Sequence, residues 1–259
     1  MNKEEKKNDK LLENRLRWKW VTKYRMLRAL KESIFIAEQG LEVDRRLLEE
    51  SREEIKKRQK QLTTSTDSQS NSKHGFIKKR ECELERLMNF IGFIDLNSID
   101  ISILSYQMIK DRNRWSRNFY ARLAFTLMYE LTEDICQFLG NDKSKETGQE
   151  FGIRPIVQDM SDADLTNKLN TTARQWNNFK NSIRESDCDY HFIRNVATAH
   201  RDHDFSKLQN AMINVSWSSA FLGLHEFNNN MTVLRNFIGS LTSKYFRYYL
   251  KGLDAIAEN

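Results

Sequence analysis

Residues 114–139 read RWSRNFYARLAFTLMYELTEDICQFL, and this stretch decides the fold class of the chain. Its apolar side chains recur every four residues, and this spacing places them on one face of an α-helix. The stripe consists of Leu123, Leu127, Leu131 and Ile135, with Phe119 and Phe138 extending it. The stretch lacks proline and glycine, the residues that interrupt helices. We therefore predict a helix that packs its apolar stripe against neighbouring helices.

The rest of the chain shares this helical character. Its 259 residues include one proline, Pro155, and nine glycines. A chain of this length can bury a substantial core. Further helices are predicted over 77–91, 162–185, 205–226 and 229–256, with a shorter one over 94–109. The sequence thus predicts an all-α protein, an antiparallel helical bundle preceded by a long N-terminal helix or helical hairpin.

The N-terminal residues 11–62 form one long predicted helix, or two helices broken near Gly40. Apolar residues recur every seven positions, which keeps a seam on one side of a slightly underwound helix. The seam consists of Trp20, Leu27, Ile34, Leu41, Leu48, Ile55 and Leu62. The second seam position is polar at Asp44, Ser51 and Arg58. Two interpretations remain, namely pairing as a coiled coil or hairpin, or packing of one stripe onto the main domain.

Charge and composition divide the chain into three parts. Residues 1–62 form a basic helical segment, since the first 60 residues hold 18 Lys or Arg against 12 Asp or Glu. Residues 63–75, TTSTDSQSNSKHG, are polar and predict a flexible linker. Residues 76–259 form the predicted bundle domain. A basic segment can attract nucleic acid or an acidic partner, although the interspersed acids equally fit a solvated helix.

Several protein classes do not fit the sequence. It has no apolar run of the roughly 18 residues that a transmembrane helix needs. Its first residues, MNKEEKKNDK, are not followed by the apolar region of a secretory signal. The cysteines Cys82, Cys136 and Cys188 are far apart and odd in number, which favours free thiols in a reducing compartment. We expect a cytoplasmic protein without membrane association.

The candidate chemistry lies in residues 189–204, DYHFIRNVATAHRDHD, which hold three of the five histidines. RNA cleavage needs a base for the 2′-hydroxyl proton, and His200 titrates in the right range. It also needs a cation at the phosphate, which the planar fork of Arg194 supplies. On one ideal helix these two residues are about 120° out of phase and about 9 Å apart along the axis. They would therefore act together at a helix end or across a dimer.

The pattern Arg194-Asn195-x-x-x-x-His200, followed by Arg201-Asp202, resembles the motif of the HEPN superfamily. These are helical-bundle proteins of abortive-infection, toxin–antitoxin and CRISPR-linked systems, and the run RNVATAHRD is especially similar to the abortive-infection branch. The resemblance covers nine residues in motif and about residues 80–250 in architecture. It implies a homodimeric, metal-independent endoribonuclease that leaves a cyclic phosphate. RNA is then the substrate, and an antitoxin or other antiviral defence protein is a possible partner.

The resemblance also implies roles for individual residues. Arg194 and His200 would be catalytic, with Asn195 orienting one of them. An acidic residue on an earlier helix often lies near the cleft of this family, and Glu130 is our candidate, with Glu133 as the alternate. The RNA backbone would contact basic side chains on the helix over 114–139 and beside the motif. These predicted RNA-binding residues are Arg114, Arg117, Arg122, Arg201 and His203.

Other interpretations remain open. The same fold could serve as a non-catalytic RNA- or protein-binding scaffold, with Arg194 in an ordinary salt bridge and His200 satisfied at a helix end. A metal site at His200-x-x-His203 is disfavoured, because the segment lacks the Glu of a His-Glu-x-x-His motif. We therefore expect neither metal nor cofactor. The tryptophans are expected in the core or an interface rather than as base-stacking platforms; they are Trp115, Trp176 and Trp217.

Overall fold

The computed structural model describes residues 3–18, 20–63, 70–140, 152–185, 193 and 215–257. These ranges contain seven helices and no strand, which confirms the predicted all-α class. The helices are α1 Lys3–Trp18, α2 Trp20–Thr63, α3 Ser70–Lys110, α4 Arg114–Phe138, α5 Arg154–Asp159, α6 Ala163–Glu185 and α7 Trp217–Ala257.

Helices α2 and α3 pack side by side as an antiparallel hairpin. Three contacts show that the two helices run in opposite directions, because the partner lies later in α3 as the contacting residue lies earlier in α2. The pairs are Arg52 with Glu85, Ser33 with Ser102, and Lys23 with the carbonyl of Lys110. The seam of α2 faces this partner, with Ile55 buried and Leu27 and Leu48 packed against the core. The stripe therefore packs onto a helix of the predicted main domain, as the second interpretation expected.

Gly40 does not break α2, contrary to one predicted alternative. The helix continues through it, and a Cβ built there would lie 3.1 Å from Asp95 Oδ2 and 3.2 Å from Arg235 Nη2. The glycine thus lets α2 approach an ion pair that joins α3 to α7.

Helix α3 is one continuous element of 41 residues. The sequence predicted two helices, over 77–91 and 94–109, and assigned residues up to 75 to a linker. In the structure residues 70–75 are helical, and residues 64–69 lie outside the described ranges. The separate helices were wrong because one heptad stripe runs through both segments. Its members are Leu87, Ile94, Ile101 and Met108, all fully buried.

The segment Ile77–Lys110 of α3 is long and apolar enough to cross a membrane, with a mean hydropathy of 1.4 over its best window. In the structure it is the central helix, in contact with α2, α4 and α7. It also buries the charged side chains of Arg80, Glu83 and Asp95, each in an ion pair. Of its most apolar window, 44% is buried inside the protein, so the neighbouring helices cover part of this surface, whereas Leu96 and Ile103 are exposed.

Helix α4 covers the predicted 114–139 stretch and packs against α3, α6 and α7. Leu131, Ile135 and Phe138 of the predicted stripe are buried, whereas Phe119 is 47% exposed. The buried face is centred on Ala121, Ala124, Phe125 and Met128. The prediction for Phe119 was wrong because small alanines, which a hydrophobic stripe does not emphasise, form the contact surface.

Two buried polar clusters connect α3 to α7. In the first, Arg235 donates from Nη2 to Asp95 Oδ2 at 2.9 Å and to Asp44 Oδ2 of α2 at 3.3 Å. In the second, the hydroxyl of Tyr245 donates to the Glu83 carboxylate, which also pairs with Arg80 at 3.1 Å. These contacts fix the register of α7 along the hairpin.

Candidate functional site

The residues of the candidate catalytic motif lie outside the described ranges. These are Arg194, Asn195, His200, Arg201 and His203. Their described neighbours are informative, because Ile193 is 7% exposed and Val215 is 4% exposed, and both belong to the main hydrophobic cluster. The segment that carries the motif therefore begins and ends on the core of the bundle.

The C-terminal end of this segment is fixed by the start of α7. Ser216 Oγ accepts a hydrogen bond from the Ser219 amide at 3.2 Å, as an N-cap side chain does. Asp9 of α1 adds a second cap, since its Oδ1 accepts from Ser216 Oγ and from the Ser218 amide, both at 2.9 Å. Helix α1 thereby holds the residues that directly follow the motif-bearing segment.

The other predicted site residues lie on α4, which follows a tight turn at residues 111–113. Asn113 caps the helix by accepting from the Trp115 amide at 2.8 Å, and Asp111 Oδ1 accepts from the Asn113 amide at 2.9 Å. The bond from the Asn113 amide is the largest cause that lowers the pKa of Asp111. The Asp111 carboxylate therefore stabilises the backbone of this turn.

Arg117 is buried and its guanidinium is used inside the protein. Its Nε donates to the Asp111 carbonyl at 2.7 Å, and its Nη1 lies 3.3 Å from Glu13 of α1. The guanidinium also lies 4.5 Å from the centre of the Trp217 ring, where cation–π attraction applies. This placement favours a structural role, joining α1, α4 and α7, over the predicted contact with RNA.

Arg114 and Arg122 differ from Arg117 in their surroundings. Arg114 is exposed at the first turn of α4. Arg122 is 9% exposed, and its guanidinium lies 5.8 Å from the centre of the Phe119 ring. Burial lowers the pKa of Arg122, and no carboxylate among the described residues forms an ion pair with it. Arg114 therefore keeps donors that a phosphate can reach, whereas the guanidinium of Arg122 is buried beside Phe119.

Further along α4 lies a group of three carboxylates, Glu130, Glu133 and Asp134. Glu130 is exposed, whereas Glu133 forms an ion pair with Lys180 of α6 at 2.6 Å. Partial burial, and then the charges of Glu130 and Glu133, raise the pKa of Asp134. Glu130, the predicted acidic residue, is thus exposed on α4, and Glu133, the alternate, is held by α6.

Within the described ranges, no group of three or more His, Cys, Asp or Glu side chains is arranged to hold a metal ion. Cys82 and Cys136 form no disulfide there, and Cys188 lies outside the described residues.

The structure adds functional candidates that the sequence did not suggest. Trp115 is 61% exposed, whereas Trp176 and Trp217 are buried as expected. Lys23 of α2 reaches the end of α3 and donates to the Lys110 carbonyl at 3.3 Å. The exposure of Trp115 follows from its position one residue after Arg114, on the polar side of α4, which a helical projection of the sequence would have indicated.

Comparison of the chain with protein-family models, with curated proteins and with solved structures finds no match.

Proposed function

We propose that this chain is a metal-independent endoribonuclease in which Arg194 and His200 act on the scissile phosphate and the neighbouring 2′-hydroxyl. The observation that carries the proposal is the pattern Arg194-Asn195-x-x-x-x-His200 in an all-helical chain. Buried Ile193 and Val215, at the two ends of the motif-bearing segment, support it. Both residues belong to the main hydrophobic cluster, and Ile193 directly precedes Arg194 in sequence.

The chemistry is a transfer within the RNA strand. His200 removes the proton from the 2′-hydroxyl, and the 2′-oxygen then bonds to phosphorus. The bond from phosphorus to the 5′-oxygen breaks, and that oxygen takes a proton from a second acid, for which the same histidine of a second copy is suited. Arg194 stabilises the negative charge on the phosphate oxygens. The products are a 2′,3′-cyclic phosphate and a 5′-hydroxyl.

The resemblance to HEPN proteins also suggests a biological setting. We place the activity in the cytoplasm, in an antiviral system of the abortive-infection or toxin–antitoxin type. The partners would be RNA, a second copy of the chain and an antitoxin that restrains cleavage.

The test compares purified variants on RNA in the presence of EDTA. Wild type should cleave, whereas His200→Ala and Arg194→Ala should each lose activity, by about 10²–10⁴-fold for the histidine. A matched control is His225→Ala, because His225 is an exposed histidine of α7. All variants should keep the melting temperature of wild type. Identical cleavage by wild type and His200→Ala would exclude this mechanism.

A second candidate function is a non-catalytic interaction module, and one observation favours it. The side of α2 that faces away from α3 exposes a set of large apolar residues, more than a solvated helix needs. They are Val21, Tyr24, Phe35, Ile36, Val43 and Leu47. If this function is correct, purified wild type will not cleave RNA, and substituting Phe35 and Ile36 by Ser will abolish binding to a cellular protein partner.

A further inference from the structure

The corner between α3 and α4, residues 110–122, exposes two aromatic rings on one face. Trp115 and Phe119 are 61% and 47% exposed, and they are four residues apart on α4. Residues at this spacing are neighbours on a helix surface. Arg122 extends the same face, with its guanidinium 5.8 Å from the Phe119 ring centre. Exposed aromatic rings beside an arginine form a surface on which planar groups can stack.

The same corner concentrates positive charge. Residues 110–122 hold five cations and one acid, although residues 61–259 as a whole are balanced. Arg112 and Arg114 are exposed, and so is Lys110 at the end of α3. Helix α2 adds Lys23, whose pKa is lowered by burial and then by the charges of Arg112 and Arg117. The fold thus holds Lys23 close enough to Arg112 and Arg117 for the positive charges to repel one another.

The acids at this corner are already engaged. Asp111 accepts the Asn113 amide, and Glu13 lies against buried Arg117. By contrast, Lys110, Arg112 and Arg114 have no ion pair among the described residues. A ligand that carries both several negative charges and planar rings fits this pattern, because it can use the cations and the exposed aromatic rings together.

We propose that the α3–α4 corner binds single-stranded RNA, with bases stacked on Trp115 and Phe119 and phosphates at Lys110, Arg112 and Arg114. A single strand is required because a duplex already stacks its bases and offers them to no outside ring. The inference rests on the proposed function in one respect, since it takes RNA as the substrate. It deepens that function by naming the substrate class and a surface that presents the strand.

Binding is tested with the full chain carrying His200→Ala, so that RNA stays intact. A fluorescent single-stranded oligoribonucleotide is titrated and its anisotropy measured, beside a duplex RNA of the same sequence. Single-stranded RNA should bind more tightly than duplex. Trp115→Ala should weaken it about 5- to 100-fold, the loss of one stacked base, whereas Trp115→Phe should retain most of the affinity. Arg112→Gln and Arg114→Gln should each lower the slope of log affinity against log salt by about 0.7.

Two control variants match these changes elsewhere on the surface. Leu96 of α3 is 57% exposed, close to the 61% of Trp115, but lies 14 residues before Lys110 on the same helix, about 21 Å away, so Leu96→Ala should not alter binding. Arg247 is an exposed arginine of α7, near the opposite end of that helix from Trp217, so Arg247→Gln should leave the salt slope unchanged.

The possible outcomes separate this inference from the proposed function. Equal affinity of Trp115→Ala and the parent protein, or equal binding of single strand and duplex, overturns the stacking surface even if the enzyme cleaves RNA. Binding to anionic lipid vesicles with no binding of RNA also overturns it. If RNA binding depends on Trp115 but the wild-type protein cleaves no RNA, the α3–α4 corner is supported as an RNA-binding surface and the proposed ribonuclease activity is excluded.

Discussion

At the residue scale, two tyrosines four positions apart on α7 differ in whether their buried hydroxyls form a hydrogen bond. The hydroxyl of Tyr245 donates to Glu83, whose side chain is only 4% exposed. The hydroxyl of Tyr249 is buried and has no hydrogen-bond partner among the described residues. Burial raises the pKa of both phenols, so both stay protonated at any ordinary pH. The Tyr245 hydroxyl thus donates a hydrogen bond to a buried carboxylate, whereas no hydrogen bond among the described residues offsets the cost of burying the Tyr249 hydroxyl.

The two tyrosines give a matched pair of substitutions with opposite expectations. Tyr245→Phe should lower the free energy of unfolding by about 1–3 kcal/mol, because it leaves the buried Glu83 short of a donor. Tyr249→Phe should leave stability unchanged or raise it by up to about 1 kcal/mol, because the removed hydroxyl is buried unpaired. Urea unfolding of both variants measures the difference. A similar loss in both would show that Tyr249 is in fact satisfied.

At the scale of elements, the junction of α2, α3 and α7 brings two carboxylates to one guanidinium. Asp95 is paired with Arg235, and the Asp44 side chain, 15% exposed, shares that cation. Burial, and then a hydrogen bond to Asp95, raise the pKa of Asp44 from 3.8 to about 6. Relative to the unfolded chain, the folded protein therefore favours the protonated form of Asp44. The cost of ionising Asp44 lowers the free energy of unfolding, and this loss is absent below about pH 4 and complete above about pH 6.

Asp44→Asn imitates the protonated carboxyl and should remove this penalty. The variant should be more stable than wild type at about pH 8, by at most about 3 kcal/mol, and nearly equal to it at about pH 4. Urea unfolding at the two pH values measures the effect. Asp100→Asn is the control, since Asp100 is exposed on α3 and has no ion pair among the described residues. A variant that is equally stabilised at both pH values would contradict the titration of Asp44.

The elements also show what the sequence could and could not predict. The four-residue spacing of Leu131 and Ile135 was sufficient to predict α4, since buried side chains on a helix recur at short intervals along the sequence. Phe119 was misjudged because small alanines, rather than large apolar side chains, form much of the buried face of α4. The joining of 77–91 and 94–109 into α3 could have been predicted from their shared heptad stripe. The contact of Arg117 with Trp217 joins distant parts of the chain, and no local pattern predicts it. The catalytic motif was found by resemblance, and its geometry remains a prediction.

At the scale of the whole molecule, we expect a homodimer formed through the bundle that carries Arg194 and His200. The reason is that six residues on one helix leave the two side chains about 120° apart, whereas a two-fold axis can bring two sets together. Sedimentation at micromolar concentration should show a dimer. A monomer with full RNA cleavage would contradict the composite site.

Mixing inactive variants gives a sharper test of the same arrangement. Refolding His200→Ala together with Arg194→Ala should restore part of the activity, because mixed dimers hold one intact arginine and one intact histidine across the axis. Each variant refolded alone is the control. Failure to recover activity in dimers shown to be mixed would mean either that each site is built within one chain or that the reaction needs His200 of both copies.

The double cap on α7 also has a consequence for synthesis of the protein. Asp9 binds Ser216 and Ser218, which lie 207 and 209 residues further along the chain. At about 5–20 residues per second, a ribosome needs on the order of 10–40 s to deliver those partners. The α2–α3 hairpin closes over a short connection and can form well before then. Helix α1 is thus synthesised before the partners of Asp9 exist, and this contact between α1 and α7 forms only after Ser216 and Ser218 have been translated.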